Sequence, residues 1–262
     1  MENLTVPRTL AGRVALIVGG ARGLGLAIAR QYAAEGAEIA IADLDAAAAQ
    51  SACAAMSPAA MSSRVDVADP ASSREVVEQV VARFGRLDIL VNCAAICLVD
   101  PLLDVTPERW DRVFAVNARG AFFCMQHAAR AMTANGFGRI ITISTPASRM
   151  GFPLFASYGA SKAAVDSMTR AAAIAWAPHG ITVNAIVPGR MTGGMIDALE
   201  QDLQRVTGKP ADELAADRTK GLPMGRRVDP AEVAKAAVWL ASDAAAYVTA
   251  ERFNFTGGME LA

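Results

Sequence analysis

Short runs of apolar residues alternate with longer stretches of helical period along nearly the whole chain. A short apolar run bounded by turn residues is typical of a buried strand, whereas apolar positions that recur every three or four residues are typical of a helix. The runs predict strands at residues 13–20, 37–43, 62–67, 87–93, 138–144, 181–189 and 251–255. The periodic stretches predict helices at residues 24–36, 46–55, 71–84, 107–132, 158–177, 196–205 and 230–240.

This regular alternation of strand and helix is the pattern of repeated βαβ units. Neither a linker rich in proline or serine nor an internal repeat divides the series, and 262 residues are enough to bury one large core. We therefore expect one domain over residues 1–262, of the α/β class. Its architecture should be a single doubly wound parallel sheet of the Rossmann type, with helices on both faces.

Composition limits the kinds of partner that the chain can have. Apolar residues make up 53% and the formal net charge is −1, so no strong field attracts nucleic acid or an anionic membrane. The first apolar run, Val14–Val18, is too short for a signal peptide or a membrane span. The four cysteines lack the spacing of metal ligands. We expect a cytoplasmic protein that binds no metal, no nucleic acid and no membrane.

The turn after the first predicted strand is rich in glycine. Gly19, Gly23 and Gly25 follow the spacing G-x-x-x-G-x-G, and a helix is predicted to begin there. Glycine lets the backbone approach a phosphate closely, and the N-terminus of a helix favours negative charge. Glycine turns of this kind also occur where nothing binds. This one is a candidate site for the pyrophosphate of a dinucleotide.

An acidic residue at the end of the second predicted strand supports that interpretation. Asp43 lies 18 residues after Gly25, where a carboxylate can accept hydrogen bonds from ribose hydroxyls and repels a 2′-phosphate. A solvated turn residue is the alternative for Asp43. Arg22 favours the opposite cofactor, because a guanidinium can bind a 2′-phosphate. We give the carboxylate more weight and predict NAD rather than NADP.

A tyrosine and a lysine near the start of the fifth predicted helix form a candidate proton-transfer pair. Tyr158 and Lys162 are four residues apart, so they share one face of the helix. A phenol, with a pKa near 10, is a poor base at neutral pH, but a neighbouring ammonium stabilises the phenolate. The same spacing is common on helices, where it also occurs as a surface pair with a packed tyrosine.

Further motifs complete an ordered series. They are GGARGLG from Gly19, then Asp43, Asp66-Val67, NCAA from Asn92, Asn117, ISTPAS at the end of the fifth strand, YGASK from Tyr158, and Pro188-Gly189. By these motifs, from Gly19 to Gly258, the chain resembles the short-chain dehydrogenase/reductase family. The resemblance implies hydride transfer between a nicotinamide cofactor and a hydroxyl-bearing or carbonyl-bearing carbon.

The resemblance also implies catalytic roles for four residues. Tyr158 would donate and accept the substrate proton, and Lys162 would hold the nicotinamide ribose and lower the pKa of Tyr158. Asn117 would hold a water that links Lys162 to solvent. Thr145 stands where the family usually has a serine, 13 positions before the tyrosine, and its hydroxyl can still contact the substrate oxygen.

The resemblance also implies a cofactor site, formed mainly by residues at the ends of the predicted strands. Asp66 and Val67 match the pair that contacts adenine, Asn92 would fix the central strand, and Met191 would lie against the nicotinamide. The full set is Gly19, Arg22, Gly23, Leu24, Gly25, Asp43, Leu44, Asp66, Val67, Asn92, Cys93, Ala94, Tyr158, Lys162, Pro188, Gly189 and Met191.

Several positions depart from the family pattern. Val18 replaces a threonine, the NNAG segment reads NCAA with Cys93 and Ala95, and Thr256 replaces an aspartate. Ala95 in place of glycine requires either ordinary backbone angles or strain at that position. None of these changes removes a member of the proton-transfer set.

The segment at about residues 190–225 is expected to form a helical substrate lid. It is long, similar to the lids of bacterial acetoin/butanediol and polyol dehydrogenases, and a helix bearing Ile196, Leu199 and Leu203 could cover the site. Residues 208–210 could form a turn or hinge. The expected substrate-lining residues are Thr145, Ser148, Phe152, Phe155, Tyr158 and Met195. Arg190 either contacts a substrate carboxylate or the cofactor phosphates, or is solvated.

Three functions are compatible with these features. The leading hypothesis is an NAD-dependent dehydrogenase of secondary alcohols, acting on a small diol, polyol or sugar-type substrate. The second is a carbonyl reductase for larger apolar ketones or 3-oxoacyl substrates, and the third is a dinucleotide-binding sensor without turnover. Family members are commonly tetramers and the helices around Asn117 and Tyr158 are rich in alanine, so we expect a homotetramer.

Overall fold

A parallel sheet forms the centre of the structure, a computed structural model that describes residues 8–193 and 196–261. Within those residues the sheet has seven strands in the order β3-β2-β1-β4-β5-β6-β7, and each neighbouring pair is parallel. The strands are β1 Val14–Val18, β2 Glu38–Asp43, β3 Met61–Arg64, β4 Ile89–Asn92, β5 Gly138–Ile143, β6 Ile181–Pro188 and β7 Arg252–Phe255. This is the expected doubly wound sheet.

Helices cover both faces of the sheet, and each face has its own apolar core. The helices are α1 Gly23–Ala34, α2 Ala46–Ala54, α3 Pro70–Phe84, α4 Pro107–Phe114, α5 Ala121–Thr133, α6 Ala156–Trp176, α7 Ile196–Thr207, α8 Ala211–Thr219 and α9 Pro230–Ala241. Side chains of α1, α2 and α9 pack on one face, and those of α3, α5 and α6 pack on the other. The inner strands β1, β4 and β6 are largely apolar because both of their faces are buried, whereas the edge strands β3 and β7 are only partly buried.

The strand order places the site. Because the chain winds outward from β1 in both directions, the order reverses between β1 and β4, and a crevice opens there beyond the carboxyl ends of the strands. Tyr32 on α1 donates a 2.9 Å hydrogen bond to the carbonyl of Ala237 on α9, which fixes these two helices together beside the first strand. Among the described residues, no helix combines the length and the apolar character needed to span a bilayer.

Two predicted helical regions differ from the structure. The helix expected over residues 107–132 is interrupted by a π-helical segment, Ala115–Gly120, between α4 and α5. The lid contains a second helix, α8, which was not predicted, although Pro210 before it and the acidic Asp212 and Glu213 in its first turn are a helix-start signal. The turn expected at residues 208–210 separates α7 from α8.

Candidate active site

A cavity of about 1080 Å³ runs from the glycine turn, past the ends of β4 and β5, to the lid helices. It joins the expected cofactor-binding residues around the glycine turn to the expected catalytic residues around Tyr158. The predicted residues that line it are Gly19, Arg22, Gly23, Leu24, Asp43, Leu44, Asp66, Val67, Cys93, Ala94, Thr145, Phe152, Phe155, Tyr158, Lys162, Pro188, Gly189 and Met191. Proton-transfer groups and the glycine turn thus face one continuous space.

The glycine turn keeps its backbone open. Gly19 has a positive φ of 77°, and a Cβ atom there would lie 2.6 Å from the backbone nitrogen of Ala94. A Cβ atom at Gly25 would overlap the carbonyl oxygen of Gly19. Arg22 precedes α1 without capping it by a side-chain hydrogen bond, so the first N–H groups of α1 are available to an anion. These features fit a pyrophosphate.

Asp43 at the end of β2 is anchored in the cavity wall by the backbone. Its carboxylate accepts hydrogen bonds from the N–H groups of Ala21 at 3.1 Å and Asp45 at 3.2 Å. Arg22 lies 3.0 Å from the Asp45 carboxylate, and both side chains are largely exposed. The guanidinium of Arg22 is therefore already paired with an acid, while the Asp43 carboxylate faces the cavity.

Tyr158 and Lys162 lie in the first two turns of α6, opposite the end of β5. Burial raises the pKa of the Tyr158 phenol far above its usual value, and a hydrogen bond from Thr145 acts in the opposite direction. Burial lowers the pKa of the Lys162 ammonium to about 8. Lys162 Nζ donates a 2.6 Å hydrogen bond to the carbonyl of Ile143, which fixes the ammonium beneath the cavity.

Asn117 is buried in the π-helical segment, behind the cavity wall. Its side-chain oxygen accepts from the N–H of Ile96 at 2.8 Å, and its amide nitrogen donates to the Ile96 carbonyl at 2.8 Å and to Ser161 Oγ at 3.1 Å. The amide therefore fixes the segment after β4 against α6. Its expected role in holding a water stays a prediction.

Four predicted site residues do not line the cavity, and one cannot be placed. Gly25 allows the turn to close, Asn117 lies behind the wall, and Asn92 donates a 2.9 Å hydrogen bond to the Ala121 carbonyl, as expected for a residue that fixes the central strand. Ser148 was expected to line the substrate site, but it is not among the residues that line the cavity, and its hydroxyl donates a 2.7 Å hydrogen bond to Asp166. Met195 lies outside the described residues.

The lid side of the cavity has a cluster of apolar side chains, only part of which was predicted, beside the polar residues Arg190, Thr207, Lys209 and Asp217. Val99, Leu203 and Leu214 are buried together, with Leu154, Phe155, Leu199 and Val206 packed against them. The lid helix α7 contributes Leu199 and Leu203, as expected. Leu154 and Leu214 were missed; Leu214 belongs to the helix that was not predicted, and Leu154 lies in a loop without periodicity. Met259 of the C-terminal turn also lines the cavity, and no sequence signal indicated it.

The cations at the lid are paired with lid residues. Arg190 lines the cavity and donates a 3.0 Å hydrogen bond to the carbonyl of Asp217 on α8. Lys209 lies 2.7 Å from the Glu213 carboxylate and 2.8 Å from that of Asp217. These contacts hold the turn between α7 and α8 to the segment after β6. In the described part of the chain, no group of three acidic, histidine or cysteine side chains is placed to hold a metal ion.

The fold and the cavity together define a Rossmann-type oxidoreductase. The glycine turn beside α1 lines one part of the cavity, and the Tyr158, Thr145 and Lys162 side chains line the same cavity. Nucleophile–histidine–acid machinery has no counterpart among these residues. The chemistry of the donor set is proton transfer beside a bound nucleotide.

Comparison with known proteins gives the family. The family described as Enoyl-(Acyl carrier protein) reductase matches residues 19–260. Galactitol 2-dehydrogenase of Agrobacterium fabrum is 41% identical over 250 residues, covering 95% of this chain and 98% of that protein. L-2,3-butanediol dehydrogenase of Corynebacterium glutamicum is 36% identical over 253 residues, covering 94% and 98%. The solved structure of levodione reductase superposes with a TM-score of 0.91 at 28% identity, covering 97% and 99%.

The chain therefore belongs to the short-chain dehydrogenase/reductase family. It is a nicotinamide-dependent oxidoreductase that interconverts alcohols and ketones.

Proposed function

We propose that this protein is an NAD-dependent dehydrogenase that oxidises a secondary alcohol of a small diol with an apolar carbon skeleton, reversibly. One observation carries the proposal: Tyr158 and Thr145 face a cavity whose inner half is walled by leucine and phenylalanine side chains. A substrate held there would present one hydroxyl to the polar groups and its carbon skeleton to the lid. The relatives named above act on a polyol and a diol, which supports the same reaction class.

The residues divide the work of alcohol oxidation. NAD, when bound, supplies the hydride acceptor at its nicotinamide ring. Thr145 orients the substrate oxygen by hydrogen bonding, and Tyr158 takes the hydroxyl proton as the carbonyl forms. The Lys162 ammonium lies one helical turn further along and favours the phenolate form of Tyr158 electrostatically. Asn117 holds the segment between β4 and the cavity, which keeps the floor of the site in place.

The lid favours a compact, sparsely hydroxylated substrate. A sugar alcohol has a polar group on each carbon, and those groups would lose water without gaining partners against Leu199, Leu203 and Leu214. A small diol places one or two hydroxyls beside Thr145 and Tyr158 and buries the rest favourably. A larger apolar ketone is the second candidate, because the same apolar wall favours it.

The choice of NAD over NADP rests on Asp43. Its carboxylate lines the cavity at the end of β2, where it can accept from ribose hydroxyls and repels a 2′-phosphate. Arg22, the nearby cation, is paired with Asp45. We therefore propose NAD as the cofactor.

Assembly and location complete the proposal. Large apolar side chains are exposed on the outside of the fold, among them Trp110 on α4, Ile174 on α6 and Tyr247 before β7. Apolar surface of this kind fits burial between subunits, so we propose a homotetramer. The four cysteines are free thiols, which fits a reducing compartment, and we propose the cytoplasm. The elution volume and scattering mass of the purified protein test the tetramer.

A panel of substrates tests the function. Initial rates of NAD and NADP reduction are measured with 2,3-butanediol, cyclohexane-1,2-diol, galactitol and sorbitol, and rates of NADH oxidation with acetoin, larger cyclic ketones and a 3-oxoacyl thioester. The proposal expects the highest kcat/KM for a small diol or its ketone, with NAD. Higher efficiency with galactitol would contradict the assignment of the lid, and NADH binding without turnover on any compound would favour a sensor.

A further inference from the structure

A buried arginine lies behind the loop that follows β5 and carries Thr145. Arg252 begins β7 and its side chain is only 7% exposed. All five of its N–H donors have acceptors. Nε bonds Asp166 at 2.9 Å, Nη1 bonds Asn254 at 2.6 Å and Glu260 at 2.7 Å, and Nη2 bonds the Thr145 carbonyl and Ser148 Oγ, each at 3.0 Å.

The carbonyl of Thr145 is the point where this cluster meets the active site. It accepts from Arg252 Nη2 at 3.0 Å, from the Ser148 backbone N–H at 3.1 Å, and from Ser148 Oγ at 2.9 Å. Ser148 has one hydroxyl proton, which it also directs at Asp166 over 2.7 Å. Arg252 is the charged donor to this carbonyl, beside the Ser148 backbone N–H, and a charge-assisted bond is the stronger kind.

Fixing the carbonyl fixes the hydroxyl of the same residue. Thr145 has an extended backbone, with φ −157° and ψ 154°, two residues after the end of β5. The direction of its Cβ atom follows from these angles, and a β-branched side chain has few rotamers. The Thr145 hydroxyl oxygen accepts a 3.3 Å hydrogen bond from the Ala147 N–H, and Thr145 lines the cavity together with Tyr158. A rotation of the peptide after Thr145 would move that hydroxyl relative to the substrate oxygen.

The same guanidinium joins the C-terminal turn to the loop after β5. Glu260, whose side chain is 6% exposed, lies next to Met259, which lines the cavity. Asp166 on α6 is four residues after Lys162, so the cluster also contacts the helix that carries the proton-transfer pair. One side chain thus connects β7, α6, the loop after β5 and the C-terminal turn.

We propose that Arg252 is a positioning residue for the reaction: it holds the Thr145 backbone so that the Thr145 hydroxyl lies opposite Tyr158. The proposal rests on the function proposed above. Stability alone does not require the bond to Thr145, because the ion pairs with Asp166 and Glu260 would neutralise the guanidinium without it. A lysine at this position would keep one positive charge between the carboxylates but lacks the planar fork that reaches the carbonyl as well.

The test separates the rate of hydride transfer from the amount of folded enzyme. The Arg252→Lys variant, preloaded with NAD, is mixed in a stopped-flow instrument with the diol that the unaltered enzyme oxidises fastest, and NADH formation in a single turnover is followed. The rate constant is expected to fall by about 10- to 100-fold, because small displacements of a catalytic group have effects of this size. The amplitude and the NADH dissociation constant should stay close to those of the unaltered enzyme.

Two further variants keep the result interpretable. Ser148→Ala removes one donor to the same carbonyl and leaves both charges of the Arg252–Asp166 ion pair in place, although it also removes the hydrogen bonds of Ser148 to those two side chains. A smaller fall in the same rate constant is expected. Arg86→Lys is the matched control, because Arg86 forms a forked pair with the buried carboxylate of Asp88, away from the cavity. Its rate constant should not change, whatever it does to the melting temperature.

A merely structural role would give a different result. Loss of amplitude with an unchanged rate constant in Arg252→Lys would overturn the proposal. If the unaltered enzyme oxidises none of the diols, the proposed function fails, and the crystal structure of Arg252→Lys then decides about Arg252. Displacement of the Thr145 hydroxyl from Tyr158 in that structure would support the positioning role, and an unmoved Thr145 would refute it.

Discussion

The ammonium of Lys162 donates its 2.6 Å hydrogen bond to the backbone carbonyl of Ile143. The lysine is 3% exposed, and burial lowers its pKa to about 8. An ammonium in this position costs folding free energy, since one backbone acceptor replaces the water that would otherwise solvate it. The proposed role of this ammonium, to favour the phenolate form of Tyr158, stays a prediction.

This cost should be visible as a pH-dependent difference in stability. Lys162→Met removes a group whose pKa is lower in the folded chain than in the unfolded chain. Below pH 8 both states carry the proton and the penalty is complete; between pH 8 and about 10.4 only the unfolded chain keeps it, so the unaltered protein becomes relatively more stable. The advantage of Lys162→Met in unfolding free energy should shrink by roughly 3 kcal/mol across that window. Urea unfolding at several pH values measures it, and a pH-independent difference would contradict the lowered pKa.

Removal of the phenolic hydroxyl should abolish turnover selectively. Tyr158→Phe keeps the ring that lines the cavity but leaves no group to exchange the substrate proton. We expect kcat to fall by at least about 10²- to 10⁴-fold, the usual contribution of general acid–base catalysis, with little change in NADH affinity. Steady-state kinetics and NADH fluorescence titration measure the two quantities. Near-normal turnover would refute the role of Tyr158.

Activity should depend on the hydroxyl of Thr145 rather than on the shape of its side chain. Thr145→Val keeps the β-branched volume but removes the hydroxyl that interacts with Tyr158. Because a few kcal/mol of transition-state stabilisation should be lost, we expect kcat/KM to fall by about 10- to 1000-fold. Thr145→Ser keeps the hydroxyl and serves as the matched control, with activity within a few-fold of the unaltered enzyme. Equal activity of the two variants would show that another group orients the substrate.

Neutralising Asp43 should weaken the proposed preference for NAD over NADP. Asp43→Asn retains an oxygen that can accept from the Ala21 N–H, so the turn should keep its shape. The variant loses the charge that repels a 2′-phosphate, and the ratio of kcat/KM for NAD to that for NADP should fall by about 10-fold or more. Asp45→Asn, which releases Arg22 from its ion pair, is a useful comparison and should improve NADP use by a smaller factor. An unchanged ratio of kcat/KM for NAD to that for NADP in both variants would contradict the proposed role of Asp43 in cofactor choice.

The parts of the fold that were predicted from sequence are those that depend on local periodicity. Inner strands such as β1, β4 and β6 are buried on both faces and are largely apolar runs, so they are readily identified in the sequence, whereas the edge strands β3 and β7 are short and partly polar. Asp43 and Tyr158 were placed because each stands at a fixed distance from such an element, at a strand end or in a first helical turn. Positions of this kind depend on a few neighbouring residues.

Other positions depend on contacts between distant segments, and periodicity carries no information about these. Ser148 follows β5, but a short 3₁₀ turn directs its hydroxyl towards Asp166 and Arg252, the latter 104 residues away. The π-helical segment likewise forms where the Asn117 amide pairs with Ile96, 21 residues earlier. A regular helical pattern in the sequence does not distinguish such a segment from ordinary α-helix.

That π-helical segment makes the number of residues in this region matter as much as their identity. A π-turn holds one more residue than an α-turn, and each residue of an α-helix rotates its successor by about 100°. The wide turn absorbs the extra residue, so α4 and α5 continue in nearly the same phase, and deleting one residue there would shift the Asn117 amide relative to Ile96 more than it would turn the Trp110–Phe114 pair. A one-residue deletion in this segment should therefore loosen the contact between Asn117 and the segment after β4, even though every named side chain is kept.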